Sequence, residues 1–365
     1  MRHAKWAIAT LLSFASYSAQ EVRAEVMRRD YTVRAEDGLK IFVRELRDDK
    51  ACVDRGPMLL VNGGRPGVLA SWDVDAREPS TAEAFAKAGH HLYLMDVRGF
   101  GRSEFPPEMD DGRLGAPPAV RSNQAVRDIA TVVREIQRRN PGEMRLTAMG
   151  WATGSQWLGH YASLYPESIS HLIYYNGAYG GPAGGWHLQA EFGDPDDPAQ
   201  LDRKRYGAYQ SSTAGSLGNR WRDEGIDPAF LERYVAVAME GDKAAKTRHP
   251  ASFRHPTGPL ADTLLMVNGR PIFDASFIRS HVLILRSGND FWSRPVDAQT
   301  LLAHLTNAAS TRFAELPGAS HYAHLLPGPD RRAFIKTVLA FTAPLAAGSD
   351  TVRRECADNK RGVHS

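Results

Sequence analysis

The sequence has few cysteines and no excess of charge of one sign. Its 365 residues include 2 cysteines, Cys52 and Cys356, and 45 Lys and Arg against 42 Asp and Glu. So few cysteines exclude a disulfide-rich scaffold, and these two can form one disulfide or stay as surface thiols. The basic residues are spread along the chain, which excludes the basic tract typical of nucleic-acid binding. We therefore expect no nucleic-acid partner.

The sequence also lacks a metal-binding motif. It contains no H-E-x-x-H, and the pair His321 and His324 has no third candidate ligand nearby. Zinc sites in proteins use three or four protein ligands. We therefore expect no metal, and we predict no cofactor.

The apolar stretch near the N-terminus is too short to span a bilayer comfortably. Residues 6–18 follow the basic start MRHAK and precede small residues that end at Ala24. This order predicts a signal peptide over residues 1–24, with an amphipathic N-terminal helix as the alternative. We expect a periplasmic or secreted protein without an integral membrane segment after removal of the signal.

The composition is ordinary for a globular protein, with 42% hydrophobic and 24% charged residues, and the length allows one large core plus an inserted subdomain. Apolar runs typical of strands alternate with amphipathic segments typical of helices. This alternation predicts an α/β fold with a mostly parallel sheet covered by helices on both faces. After a hairpin over 31–46, strands are predicted at 58–62, 91–96, 145–149, 171–175, 282–285 and 312–316, and helices at 81–87, 122–138, 155–164, 295–305 and 331–341.

A segment rich in Gly, Asp, Arg and Trp interrupts the alternation. Between residues 180 and 276 a helical pattern occurs near 228–239, without a clear alternation of strands and helices. We therefore divide the mature chain into a first core part, an insertion, a second core part and a flexible tail. These cover residues 25–179, 180–276, 277–347 and 348–365.

A predicted strand, a sharp turn and a predicted helix meet at Gly150-Trp151-Ala152-Thr153-Gly154. The glycine spacing is that of the nucleophile elbow, G-x-S-x-G, in which a strained turn presents a serine beside a helix N-terminus. Ala152 stands in the serine position. A plain glycine-rich turn is the alternative, so the assignment depends on residues elsewhere in the chain.

An acid and a base follow later in the order that such an elbow requires. Asp290 and His321 each lie in a loop after a predicted strand, where open α/β sheets form their sites. Asp290 would orient His321, which would take the proton from a hydroxyl at position 152 and return it to the leaving group. His324 is the alternative base.

Backbone donors for a developing oxyanion are predicted on two loops. The run Asn62-Gly63-Gly64 follows an early strand. The N–H of Gly64 can therefore pair with that of Thr153, the residue after the elbow position. A simple glycine turn is the alternative at Gly64.

Together these motifs resemble the α/β-hydrolase superfamily, in particular its proline-iminopeptidase-like branch. The resemblance implies an eight-stranded, mostly parallel sheet with the insertion as a cap after the sixth strand. It also implies hydrolysis of a carboxylic ester or amide through a Ser-His-Asp triad and an acyl-enzyme. The branch usually has His where this chain has Asn62. The resemblance covers about residues 30–178 and 279–343 and rests on the runs NGGRPG at 62–67 and DVRGFGRS at 96–103, the elbow, Asp290 and His321.

Ala152 allows three interpretations. In the first it is an engineered replacement of a natural serine, and the chain is an inactive hydrolase that holds substrate without turnover. In the second the chain is a natural pseudo-hydrolase that binds a ligand, and in the third the chemistry needs only His321 and Asp290. Thr153 and Ser155 are the alternative nucleophiles, and an original aspartate at position 152 is a further alternative.

The substrate pocket is predicted from aromatic and charged residues beside these motifs. In the binding-protein interpretation, the aromatic residues Trp186, Trp221, Phe291 and Trp292 line the pocket or pack in the core instead. The expected partner is a small-molecule or polymeric ester or amide, and the sequence leaves the oligomeric state open. The predicted substrate-binding residues are Trp151, Arg65, Phe291 and Trp292.

Overall fold

The computed structural model describes residues 26–76, 78–110, 116–142, 145–221 and 226–343. Its strands are β1 (Met27–Arg34), β2 (Lys40–Arg47), β3 (Pro57–Val61), β4 (His91–Met95), β5 (Thr147–Trp151), β6 (His171–Tyr175), β7 (Tyr209–Thr213), β8 (Ser252–Pro256), β9 (His281–Asn289) and β10 (Ser310–Ser320). Eight of them form one sheet in the order β1-β2-β4-β3-β5-β6-β9-β10. The β1–β2 and β2–β4 pairings are antiparallel and the others are parallel. The predicted α/β fold with a mostly parallel, eight-stranded sheet is confirmed.

Helices cover both faces of this sheet. They are α1 (Val68–Trp72), α2 (Thr81–Lys87), α3 (Ser122–Arg139), α4 (Thr153–Leu164), α5 (Gln189–Phe192), α6 (Ala214–Trp221), α7 (Pro228–Glu240), α8 (Gly258–Val267), α9 (Pro295–His304) and α10 (Pro329–Phe341). On one face, α3 and α4 bury residues such as Ile129 and Trp157. On the other face, α1, α2 and α10 bury Trp72, Phe85 and Phe334. Each face of the sheet therefore has its own apolar core.

The hydrophobic pattern explains the long helices better than the short ones. Helix α3 buries Val126, Ile129 and Val133 and leaves Arg138 exposed, as its 3.6-residue period predicts. Helix α1 was not predicted, because its five residues are too few to show a period.

Three strands of the sheet extend further than the apolar pattern predicts. Strand β5 continues to Trp151, which pairs with Tyr175 of β6, and β9 and β10 pair as far as Asn289 and Ser320. The extensions contain glycine and polar residues, so periodicity does not reveal them. The residues that directly follow these three strands are Ala152, Asp290 and His321.

Between β6 and β9 the chain contributes no strand to the main sheet over its described residues. It forms helices α5 to α8 and a separate antiparallel pair, β7 and β8, which the sequence did not predict. Arg121 and Ser122 at the start of α3 bind Asp262 of α8 at 2.6 and 2.7 Å. These hydrogen bonds hold α8 of this segment against the start of α3, which covers the main sheet. The predicted limits of the insertion, 180 and 276, stay a prediction.

Several predicted features lie outside the described residues. They are the signal peptide at 1–24, the whole tail at 348–365 with Cys356, and therefore any pairing of Cys52 with Cys356. In the part of the chain that the structure describes, no helix is both long enough and apolar enough to cross a bilayer.

Candidate active site

The turn between β5 and α4 holds Ala152 in a strained backbone conformation. Its φ is +51° and its ψ is −110°, a region that residues with a Cβ atom rarely adopt. The flanking glycines permit this turn. A Cβ at Gly150 would lie 2.1 Å from the carbonyl carbon of Gly154, and one at Gly154 would lie 2.5 Å from the carbonyl oxygen of Asn62. The G-x-A-x-G spacing therefore follows from close backbone packing.

Ser155 ties this turn to both neighbouring strands. Its hydroxyl donates to the carbonyl of Gly150 at 2.6 Å and accepts from the backbone N–H of Tyr175 at 2.8 Å. The side chain is fully buried. The sequence left Ser155 open as an alternative nucleophile. The structure instead uses the hydroxyl to join β5, α4 and β6.

Asp290 and His321 lie in contact at the ends of adjacent strands. The Nδ1 atom of His321 is 2.5 Å from Oδ1 of Asp290, and because a carboxylate only accepts, Nδ1 carries the proton. The backbone N–H groups of Trp292 and Ser293 also donate to Asp290, each at 3.0 Å. Burial would raise the pKa of Asp290, but the adjacent His321, the Ser293 hydroxyl and the Trp292 N–H lower it overall. The carboxylate is therefore ionised beside the imidazole.

His324, the alternative base, lies in an apolar aromatic environment. Its ring centroid is 4.5 Å from that of Trp151 and 4.6 Å from that of Trp72, and the residue is fully buried. Burial, followed by the charge of His321, lowers the pKa of His324 well below its usual value. His324 is not among the described residues that line the pocket beside Ala152, whereas His321 is.

Gly64 and Thr153 meet directly beside Ala152. A Cβ on Gly64 would lie 2.8 Å from the Oγ1 atom of Thr153, so only glycine allows this approach. Thr153 begins α4, where backbone N–H groups have no partner within the helix. Its own hydroxyl is buried and has no hydrogen-bond partner among the described residues. The two predicted oxyanion donors are thus brought to one place.

The loop that carries Gly64 is held at both ends by the loop after β4. The side-chain oxygen of Asn62 accepts from the N–H of Val97 at 3.2 Å. Asp96 accepts from the N–H of Val68 at 2.5 Å and from that of Arg102 at 2.8 Å. Burial raises the pKa of Asp96 to about 7. The sequence identified the runs at 62–67 and 96–103 by resemblance. It did not indicate that hydrogen bonds join the two loops.

The pocket above Ala152 has mostly aromatic and aliphatic walls. All four predicted substrate-binding residues line it, and so does Trp221. Trp186 does not line it. Its indole instead packs edge-on against Trp292 with ring centroids 5.3 Å apart and donates to the carbonyl of Trp292 at 2.8 Å. Lining residues that the sequence did not single out include Phe192, Gln210, Tyr234, His255, Leu260 and Tyr322.

Potential metal ligands do not cluster in the described ranges. No group of three His, Cys, Asp or Glu side chains there could hold a metal ion.

Comparisons with known proteins agree with this architecture. A family model for the alpha/beta hydrolase fold matches residues 57–327, whereas no curated protein matches the chain. Three similar solved structures are a thioesterase domain from the curacin biosynthetic pathway, an esterase from Exiguobacterium antarcticum and an enol-lactonase from Burkholderia xenovorans LB400. Their TM-scores are 0.57, 0.54 and 0.53 and their identities 16%, 14% and 17%. The alignments cover 86%, 86% and 85% of this chain and 99% of each of the three structures. The family model spans more than half of the sequence, and the chain therefore belongs to the alpha/beta hydrolase fold family.

Proposed function

We propose that the site is that of a serine-type hydrolase of carboxylic esters or amides, present in this chain in a form that lacks its nucleophile. The observation that carries the proposal is the position of Ala152. Ala152 stands at a strained elbow and lines one pocket together with Gly64, Thr153 and His321, whose ring contacts Asp290. Strained backbone at a cleft is typical of functional sites. The missing oxygen is the one group that acyl transfer still needs.

With a serine at position 152, the remaining residues supply each step of the reaction. His321 takes the hydroxyl proton as the oxygen attacks the substrate carbonyl, and Asp290 stabilises the imidazolium. The N–H groups of Gly64 and Thr153 stabilise the oxyanion. His321 then protonates the departing alcohol or amine. Water repeats the sequence on the acyl-enzyme and releases the acid.

With Ala152 the first bond cannot form, because a methyl group has no electron pair to donate. Neither of the nearby alternatives supports a substitute nucleophile. The Ser155 hydroxyl is buried and engaged with Gly150 and Tyr175, and Thr153 is the predicted oxyanion donor. The chain as it stands should therefore bind an ester or amide without forming an acyl-enzyme.

The substitution Ala152→Ser tests this proposal. We expect the variant to hydrolyse short p-nitrophenyl esters about 10³- to 10⁶-fold faster than the Ala152 protein, and to be labelled by a fluorophosphonate probe. Ala152→Gly is the matched control, since it also lacks a hydroxyl. A folded Ala152→Ser protein without labelling or activity would contradict the proposal.

The alternative is a natural pseudo-hydrolase that uses the same pocket to bind a ligand. The absence of a hydroxyl at position 152 is consistent with this candidate and with the first. The natural gene separates the two, because a serine codon at position 152 would identify Ala152 as a replacement and an alanine codon would favour the binding protein. The third interpretation, a reaction that uses only His321 and Asp290, predicts turnover by the Ala152 protein itself.

Two finer expectations belong to this proposal. The NGGRPG and DVRGFGRS runs at 62–67 and 96–103 support a proline-iminopeptidase-like relative, although no motif in residues 180–276 supports aminopeptidase specificity. Comparing cleavage of proline amides with that of simple esters by Ala152→Ser tests this first expectation.

The second expectation concerns localisation. The order of basic, apolar and small residues over 1–24 supports action in the periplasm or outside the cell.

A further inference from the structure

The residue pair Tyr175 and Asn176 lies at the end of β6, beside the elbow. The N–H of Ala152 donates to the carbonyl of Tyr175 at 2.9 Å, and the hydroxyl of Ser155 donates to the same carbonyl at 2.9 Å. Tyr175 and Asn176 are both buried. Hydrogen bonds to the backbone of Tyr175 therefore fix this end of β6 to the elbow.

Asn176 has a backbone conformation that favours glycine. Its φ is +51°, in the left-handed region that glycine adopts freely and asparagine more readily than most other residues. A glycine would satisfy this backbone at a lower cost in conformational energy. Asparagine adds a side-chain amide, and the contacts of that amide indicate its role.

The amide of Asn176 holds the part of β9 that leads to Asp290. Its Oδ1 atom accepts from the N–H of Ser287 at 2.8 Å, and its Nδ2 atom donates to the Ser287 hydroxyl at 3.0 Å. Because a backbone N–H only donates, the first contact fixes which end of the amide faces it. The paired residues of β6 and β9 end at Tyr175 and Leu285. The amide therefore joins the two strands two residues further along β9, toward Asp290.

The backbone carbonyl of His321 accepts from both side chains of the pair. The Nδ2 atom of Asn176 and the hydroxyl of Tyr175 each lie 3.4 Å from this oxygen. The phenol has one proton and gives it to His321, so the Ser287 hydroxyl, 3.2 Å away, donates to the phenol oxygen. All four residues are buried, where a carbonyl without a partner is costly. The network thus connects the backbone of His321 to β6 and β9.

We propose that Tyr175 and Asn176 are positioning residues, which hold the backbone of His321 and the end of β9 before Asp290 in a fixed position relative to the elbow. Neither residue is among the described residues that line the pocket, so they act through His321 and not on the substrate. The inference rests on the proposed function, because it concerns the base of that reaction. A small displacement of such a group lowers the rate strongly.

The position of His321 can be tested without turnover, in the Ala152 protein. The proton between Nδ1 of His321 and Asp290 lies in a short contact and should give a far-downfield signal in the proton magnetic resonance spectrum. Labelled histidine assigns this signal. Asn176→Gly, which suits the positive φ but removes the amide, should shift or abolish it, and Tyr175→Phe should shift it.

Kinetics in an Ala152→Ser background gives the second measurement. Asn176→Gly and Tyr175→Phe should each lower kcat about 10- to 100-fold and leave KM nearly unchanged. Titration with a fluorophosphonate probe counts the active sites, so that a loss of folded protein does not enter kcat.

Tyr174→Phe is the matched control. It also removes a buried hydrogen bond from β6, but one that the hydroxyl donates to the carbonyl of Ala178 at 2.7 Å. Tyr174→Phe should lower stability and keep both kcat and the downfield signal. Near-ultraviolet circular dichroism checks folding, and if Asn176→Gly does not fold, Tyr175→Phe decides the matter.

The outcomes separate this inference from the proposed function. An unchanged signal in both variants, or an unchanged kcat in both, would overturn the positioning role. An equal effect of Tyr174→Phe would also overturn it, because general destabilisation would then explain the losses. If Ala152→Ser hydrolyses nothing, the proposed function fails, and the signal in the Ala152 protein still decides whether Tyr175 and Asn176 position His321.

Discussion

The Nδ1 atom of His321 lies 2.5 Å from the carboxylate of Asp290, and this contact joins the loops that follow two adjacent parallel strands. The side chain of Asp290 is completely inaccessible to solvent, whereas that of His321 is 6% exposed. The pair therefore presents the imidazole to the pocket and keeps the carboxylate behind it. Such an arrangement orients a base and stabilises its protonated form.

In an Ala152→Ser background, Asp290→Asn should reduce kcat by about 10³- to 10⁴-fold with little change in KM. The amide no longer stabilises the imidazolium and favours the wrong tautomer of His321. Steady-state kinetics on a p-nitrophenyl ester measures both constants. Comparable activity in the two proteins would remove Asp290 from the proposed mechanism.

Ala152→Gly should increase the free energy of unfolding by about 1 kcal/mol. The positive φ of Ala152 costs about 1–2 kcal/mol in a residue with a Cβ atom, and the greater freedom of glycine in the unfolded chain offsets part of the gain. Urea denaturation measures the difference. Ala130→Gly, in the middle of α3, is the control and should lose about 1 kcal/mol or more. Equal losses in both variants would show that the elbow is not strained.

Asp96→Asn should destabilise the protein by about 1–3 kcal/mol, because the amide group turns a donor toward one of the two N–H groups that the carboxylate accepts. The pKa of Asp96 is raised to about 7 from 3.8, so the folded chain holds this proton more strongly than the unfolded chain. The stability that this proton contributes is complete at pH values below the pKa of the unfolded chain. It is lost as the pH rises through about 7.

Asparagine does not titrate, so the stability difference between the parent and Asp96→Asn should shrink between about pH 4 and pH 7. Urea denaturation at a series of pH values measures this. A difference that widens with pH would mean that the folded state prefers the ionised carboxylate, contrary to the expected effect of burial.

His324→Phe should leave stability unchanged near neutral pH and increase it relative to the parent in acid. The ring of His324 is surrounded by aromatic side chains and has no hydrogen-bond partner among the described residues. Its pKa is lowered by burial, so below about pH 6.5 the unfolded chain binds a proton that the folded chain does not. The parent therefore loses stability as the pH falls, and the variant lacks this loss.

Thermal denaturation between about pH 7 and pH 5 tests this effect, which follows from the linkage of proton binding to folding. His187→Phe serves as the control because His187 is exposed. An unchanged pH dependence in His324→Phe would show that this histidine does not limit stability in acid.

The sequence predicted the central part of the fold because buried parallel strands leave continuous apolar runs. It also located Ala152, Asp290 and His321, since each follows such a run. In the structure Ala152 and His321 line one pocket, and Asp290 contacts His321. The alternative base His324 could not be excluded by spacing. Its position depends on how the chain turns after β10, where it enters the aromatic core.

The insertion was less predictable for a physical reason. Strands β7 and β8 form a two-stranded sheet with polar residues such as Gln210 and Ser211, so neither shows a clear apolar period. The sequence pattern also does not show which residues of the insertion line the pocket. Trp186 and Trp221 look alike in sequence, yet only Trp221 lines the pocket, because tertiary packing alone decides which aromatic faces the cavity.

The hydroxyl of Ser155 binds the backbone on both sides of the elbow, and Gly150 and Gly154 allow the chain to pass close to itself there. Residue 152 therefore takes its conformation from its neighbours and not from its own side chain. An alanine, a serine or a glycine at this position would share one backbone shape. The chemistry of the site can thus change at a single atom while the architecture that surrounds it stays the same.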